Sequence, residues 1–268
     1  MEPCARRGRD GGVDHRLSGG PLRARWPRRG SFTSGGAEAN ASALHLALSR
    51  AIPDMATAGL AAPGVRPTLY ASSESHLAWL KIAHVSGVGR DAVRLVPTDA
   101  RLRMDPDALR RLMAEDTAAG HRPVLIVGTA GTSSAGVVDP LTELAGIAAD
   151  YGCLFHVDAA WAGAAVLSDR LRPHDTRLGP APRGLLATGW SVRNHTPLPV
   201  VCFADPYRLG DDEHHRRIAA DVVESAAAWL STTIIGGEPC LRACICSHRT
   251  TDGDVDALVT RLAAARTG

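Results

Sequence analysis

The segment PVLIVGT at 123–129 constrains the fold more than any other stretch of the chain. Its apolar residues run on without alternating with polar ones. A strand with one wet face alternates, whereas a strand covered on both faces reads as an unbroken apolar run. Such strands belong to parallel sheets flanked by helices, so the neighbouring segments should be helical.

They are patterned that way. A helix is expected from Glu38 to about Ala51, ended by Pro53, followed by the strand TLYAS at 68–72. A helix from Ser75 to Ser86 is stopped by Gly87, and a strand covers Val93–Val96. The next helix, Pro106–Ala118, carries Leu109, Leu112 and Met113 on one face. After PVLIVGT come a helix from Pro140 to about Asp150 and the strand CLFHVDAA at 153–160. Strands alternating with helices imply β-α-β units and a mostly parallel α/β sheet. Ligands of such sheets sit at the carboxyl ends of the strands, which points to Gly128–Gly136 and Asp158–Gly163.

The rest of the chain differs in texture. Residues 169–184, DRLRPHDTRLGPAPRG, form a Pro/Arg-rich break. Beyond it lie a strand at 197–203, a helix over Asp211–Leu230, a strand at 240–247 and a capped helix at 250–265. Val255, Leu258, Val259 and Leu262 form that helix's apolar stripe, and the block reads as a smaller α+β domain. At the other end, residues 1–30 carry eight arginines against three acids and no period of either kind, so a disordered or loosely attached arm is expected. With Trp26 its one aromatic residue, a nucleic-acid or membrane-surface arm is the less favoured reading. The division expected is therefore an arm at 1–30, a large-domain portion at 31–170, a linker at 171–183 and a small domain at 184–268.

A formal net charge of +2 excludes a general polyanion binder. The six scattered cysteines suit a reducing compartment better than a disulfide scaffold. No run reaches the ~18 apolar residues of a membrane span. A soluble cytoplasmic protein without a specific nucleic-acid or membrane partner is expected.

Several residues could carry chemistry. In SGGAEAN at 34–40, two glycines precede a helix, where free amides and the positive dipole end can hold a phosphate; the bland alternative is a turn. Asp158 ends a buried strand and needs a partner there. It is either an N-cap or loop acid, or a carboxylate that holds a protonated pyridine nitrogen, as pyridoxal phosphate enzymes require. His76 is either structural or an imidazole able to stack on a flat cofactor. GTAGTSS at 128–134 offers hydroxyls at another strand end. Cys240, Cys244, Cys246 and His248 have metal-ligand residue types, but alternate strand positions lie ~6.6 Å apart, too far for one zinc, and core cysteines are the better reading. Arg242 shares their face and could clamp a substrate carboxylate. The one lysine, Lys81, reads as part of a solvated helix face.

Taken in order, FTSGGAEANASALHLAL, SSESHLAWLKIAHVSGVG, GTAGTSSAGVVDPLTELAGIAADYGCLFHVDAAWAGAAVLS, TPLPVVCF and LRACICSHRTTDGDVDAL resemble the group II pyridoxal-phosphate decarboxylases. That family includes aromatic-amino-acid, glutamate and diaminobutyrate decarboxylases, and the likeness covers about 31–170 and 184–265. It implies a truncated fold-type I large domain, like that of aspartate aminotransferase, with a small C-terminal α+β domain. The resemblance also implies cofactor roles. Gly36 and Ala37 fall where amides hold the cofactor phosphate, and His76 where a histidine stacks on the ring. Ala160 falls on the opposite ring face, Asp158 at the pyridinium nitrogen, and Thr132 in a turn near the ring oxygen.

Two departures matter. The family's segment with a His-Lys pair, whose lysine forms the Schiff base, has no counterpart, so no catalytic lysine is assigned. SVRNHT at 191–196 places Thr196 at the lysine position in one alignment, but TPLPVVCF continues the C-terminal block without a gap. The family's N-terminal dimer-building region is also replaced by the Arg-rich arm, so a homodimer is implied only without that region. An amino-acid decarboxylase with pyridoxal phosphate bound noncovalently at best, and impaired or inactive, is therefore expected. The alternative is a non-catalytic remnant, pseudoenzyme or noncovalent cofactor-binding partner protein.

Overall fold

The structure, a computed structural model, describes residues 31–61, 64–163, 180–196, 198–245, 247 and 249–267. The arm at 1–30, the linker up to 179, Cys246 and His248 lie outside the described residues.

Helix α1 (Gly36–Ala51) buries Asn40, Leu44, Ala47 and Leu48, the spacing of one helical face. It starts two residues before the expected Glu38, directly on the second glycine. A single turn, α2 (Met55–Ala58), leads to β1 (Pro67–Ser72) and α3 (Ala78–Val85). The helix expected from Ser75 is shorter because Ser75 N–H turns back to the Ser72 carbonyl at 2.9 Å. Strand β2 (Val93–Val96) and helix α4 (Pro106–Ala118) fall where expected. Asp105 caps α4, accepting from the amides of Asp107 and Ala108 at 2.9 and 3.2 Å. Strand β3 (Arg122–Thr129), α5 (Leu141–Asp150) and β4 (Leu154–Asp158) complete this half.

The four strands form one parallel sheet in the order β2-β1-β3-β4. Helices α1 and α3 cover one face, where Leu44, Leu48, Trp79, Leu69 and Leu125 pack together. Helices α4 and α5 cover the other, around Tyr70, Leu109, Met113, Ile126 and Ile147. Leu125, Ile126 and Val127 of β3 have no exposed surface, so each contributes about 1.5–3 kcal/mol of burial. This is the both-faces burial that the apolar run implies.

A second, antiparallel sheet has the order β5-β6-β8-β7. It follows helix α6 (Pro180–Ala187) and comprises β5 (Ser191–Val192), β6 (Val200–Ala204), β7 (Ser231–Ile235) and β8 (Glu238–Cys244). Helix α7 (Asp212–Glu224) precedes β7, and α8 (Asp252–Thr267) closes the chain. The three helices pack one face of this sheet through Leu185, Ile218, Val222, Val255 and Leu262. The opposite face, with Val200, Cys202, Ala204 and Cys240, packs against Ala135 and Val137 from the loop after β3.

Several expectations for this half are corrected. Residues 180–184 open α6 rather than a break, since proline is tolerated in a helix's first turn. Helix α7 ends at Glu224, well short of Leu230, because Ala226 adopts φ 54° and the chain turns away. Strand β7 is an element the sequence reading lacks altogether; it pairs with β8 across Gly236 and Gly237, at φ 59° and 83°, the left-handed geometry of a tight hairpin. Cys240 and Cys244 lie on β8 beside Cys202 in the apolar layer, as core cysteines do.

Candidate functional site

The carboxyl ends of β1, β3 and β4 and the amino end of α1 converge on one side of the parallel sheet. Asp158, the last residue of β4, sits opposite Thr129, the last of β3, and is 8% exposed. Its Oδ2 accepts from Asn40 Nδ2 at 2.7 Å and its Oδ1 from the Ala160 amide at 3.2 Å. Asn40 Oδ1 lies 2.9 Å from His156 Nε2. Burial holds the His156 pKa below its ordinary value against the pull of the Asp158 charge, so the ring is neutral near pH 7. The edge of that ring meets Trp79 at a centroid separation of 5.8 Å.

Every donor to Asp158 among the described residues is therefore neutral. A buried carboxylate is costly without compensation, and uncharged donors leave room for a cation. A carboxylate offers about four lone-pair sites. Two are taken here.

The amino end of α1 is open. Gly35 is extended, and among the described residues no side chain caps the amides of the first turn. Glu38 turns away from them, its Oε2 accepting from the Ser34 amide and hydroxyl at 2.6 Å each, and these bonds hold its pKa below the usual range. Unpaired first-turn amides and the helix dipole together favour an anion. Close by, a Cβ added to Gly36 would lie 2.7 Å from the Ala160 Cβ, so α1 and the loop after β4 touch through their smallest residues.

The remaining expected residues are placed with different degrees of freedom. His76, in the loop after β1, is exposed, and its Nδ1 accepts from the Ala78 amide at 3.1 Å, capping α3. That loop is tied to β3 by a 2.8 Å contact between Ser75 Oγ and Thr129 Oγ1, and to the next loop by the Ser134 hydroxyl donating to Glu74 at 2.6 Å. Thr132 is fully buried; its Oγ1 accepts from the Val137 amide at 3.1 Å, so its side chain closes the loop after β3. Arg242 donates from Nη1 to the Ser133 carbonyl at 2.6 Å, and its buried Nε has no hydrogen-bond partner among the described residues. Lys81 is exposed on α3.

Arg242 is one of a series. The Cys202 thiol reaches the Ser134 carbonyl at 3.2 Å, Asn194 Nδ2 donates to the Ala135 carbonyl at 2.7 Å, and the Thr196 hydroxyl donates to the Gly136 carbonyl. Asp139 fixes the far end of the same loop, accepting from the Met104 and Thr129 amides at 2.7 and 2.8 Å, while burial pushes its pKa up.

Asn40 and His156 are absent from the sequence reading. One signal was available: Asn40 occupies the apolar face of α1, four residues before Leu44. A cavity of about 260 Å³ opens at the amino ends of β3 and β4, beside Arg50, Arg122, Tyr151 and Cys153. It lies ~13 Å along β4 from Asp158 and has no part in this site.

The family model described as the pyridoxal-dependent decarboxylase conserved domain matches residues 22–182. Aspartate 1-decarboxylase of Aliivibrio fischeri is 36% identical over 203 residues, covering 69% of this chain and 36% of that protein. Cysteine sulfinic acid decarboxylase of Mus musculus is 40% identical over 140 residues, covering 52% and 28%. This chain thus matches about a third or less of these relatives' length. Among solved structures, mouse CSAD in apo form superposes with a TM-score of 0.76 at 21% identity, covering 90% of this chain and 72% of that one. Catharanthus roseus tryptophan decarboxylase in complex with L-tryptophan gives 0.73 at 18% identity, covering 86% and 68%.

Proposed function

The chain belongs to the pyridoxal-dependent decarboxylase family, and from that premise we propose that it binds pyridoxal phosphate where β1, β3 and β4 end beside α1. The observation that carries this reading is Asp158, a buried carboxylate whose donors among the described residues are all neutral, next to a helix end that no described side chain caps. The residues present fit the cofactor. Asp158 would hold the proton on the ring nitrogen by a charge-assisted bond, and the amides of Gly36 and Ala37 would take the phosphate. His76 and Ala160 would flank the ring, Thr132 would shape the loop near its oxygen, and Arg242 would meet a substrate carboxylate. Bound there, the cofactor supplies an electron sink for an amino-acid carbon that loses its carboxylate.

The covalent anchor is the weak point of the activity. Lysine at such a site both tethers the cofactor and exchanges it onto substrate. The one lysine in this sequence is exposed Lys81, on α3. The same observation favours a second reading, a noncovalent binder that descends from amino-acid carboxy-lyases and turns over poorly or not at all. Residues 31–170 would form the cofactor-binding part and 184–268 the small domain. Among the described residues no helix is long and apolar enough to cross a membrane. Among the described residues the four cysteines are free, which suits a reducing, cytoplasmic setting.

Titration of the purified chain with pyridoxal phosphate, followed by borohydride reduction and peptide mass spectrometry, tests this. The expected result is saturable binding without a stoichiometric lysine adduct and without carbon dioxide release from added amino acids. Lack of saturable binding overturns the cofactor reading. An adduct on Lys81, or decarboxylation at ordinary enzymatic turnover, overturns the noncovalent, inactive one.

A further inference from the structure

Asp158 stands at the end of a row of three hydrogen-bonded side chains whose middle member, Asn40, comes from α1, while His156 and Asp158 come from β4. Asn40 is 4% exposed, so its amide has no water to fall back on. A carboxylate only accepts, so the end of the amide that faces Asp158 at 2.7 Å must be the donating Nδ2. The other end, Oδ1, then needs a donor, and His156 Nε2 at 2.9 Å supplies it when that nitrogen carries the ring proton. Flipping the amide would set its oxygen against the carboxylate and its N–H against the histidine. With the carboxylate ionised and the ring neutral, one protonation pattern satisfies all three groups.

We infer that Asn40, oriented by His156, is the positioning residue of this site, fixing the Asp158 carboxylate so that its free lone pairs face the open end of the sheet. The inference rests on the cofactor reading for what Asp158 meets there. It does not rest on it for the row itself. A neutral donor suits the task, because it aims the carboxylate without cancelling the charge that would hold a ring cation. Histidine suits the outer place, because a neutral ring has one N–H to give and a defined side to give it from.

The test uses the full chain in two arms. In the first, 15N-labelled histidine is observed without cofactor, with the His156 signals identified by their loss in His156→Gln. The Nε2–H tautomer is expected in the wild type, and disturbed in Asn40→Ala; an Nδ1–H tautomer in the wild type overturns the inference. In the second, pyridoxal phosphate affinity is measured by calorimetry. Asn40→Ala and His156→Leu should each weaken it about tenfold, the scale of one hydrogen bond to a charged group, while His156→Gln, whose amide can still donate to Asn40, should stay within about twofold. Equal losses in His156→Gln and His156→Leu would mean packing alone, and overturn the inference. Failure of the wild type to bind pyridoxal phosphate overturns the cofactor reading instead, and the tautomer then decides the row by itself.

Discussion

Gly36 and Ala160 approach so closely that the first turn of α1 leaves no space for a methyl group: a Cβ on Gly36 would stand 2.7 Å from the Ala160 Cβ. Neither neighbour is the tip of a flexible side chain, so Gly36→Ala has to push the helix or the loop. Overpacking of this kind costs about 1–3 kcal/mol. The expected outcome is a lower melting temperature together with weaker pyridoxal phosphate binding. Adding Ala160→Gly should restore most of both, and a double-mutant cycle read by thermal denaturation checks it.

Asp158→Asn separates charge from shape. The amide oxygen can still accept from Asn40, so the apo fold should keep its melting temperature or gain slightly, a buried charge being gone. Pyridoxal phosphate affinity should fall by about ten- to a hundredfold, the scale of a hydrogen bond to a charged group. Unfolding of the apo variant with unchanged affinity would make Asp158 a structural cap.

On the other face of the sheet, Asp116 accepts from the Tyr70 hydroxyl at 2.7 Å and from Arg94 Nε and Nη2 at 2.9 and 2.7 Å. Burial by itself raises the Asp116 pKa, but the Arg94 and Tyr70 bonds outweigh it and hold the group below the usual carboxylate range. A depressed carboxylate stabilises the fold above its ordinary pKa, and that contribution is lost as pH falls through the lower, folded value. Asp116→Ala should cost about 2–3 kcal/mol, the low end for a broken pair because Arg94 is 26% exposed. Chemical denaturation near neutral pH measures it. The gap between variant and wild type should close in strong acid.

His156 acts with the opposite sign. Its folded pKa is lowered by burial, so the unfolded chain binds the proton first as pH falls below about 6.5. The wild type should therefore lose stability, relative to His156→Gln, on acidification from about pH 7.5 until the folded value is passed. Melting temperatures of the two proteins, measured side by side across that range, should diverge on acidification, and a constant difference between them would rule this out.

Much of the large sheet was legible in the sequence because its signals are local. The apolar run of β3, the Asp-Pro start of α4 and the β-branched β2 are all written within a few residues, and they place Asp158 and Thr129 at strand ends. The end of α7 was not legible, since Ala226 takes a left-handed conformation with no glycine to announce it. Strand β7 has a local marker, Gly236-Gly237, but Thr232 and Thr233 dilute its apolar pattern. Asn40 and His156 were hidden for another reason. Their roles exist only once α1 lies beside β4, and no window of neighbouring residues contains both ends of that contact.

The carbonyls of Ser133, Ser134, Ala135 and Gly136 each accept from a side chain of the second sheet or of the loop between β5 and β6. None of these bonds reads a side chain of the loop. These four bonds therefore put no demand on the side chain at Ser133. By contrast, Ser134 is tied to Glu74, Ala135 is buried in the core, Gly136 takes φ 66°, and Arg242, Asn194 and Thr196 are bound to their identities by the grip itself. A library randomised on both sides of this junction should recover many residues at 133 and few at 134–136 or at the side chains that grip the loop.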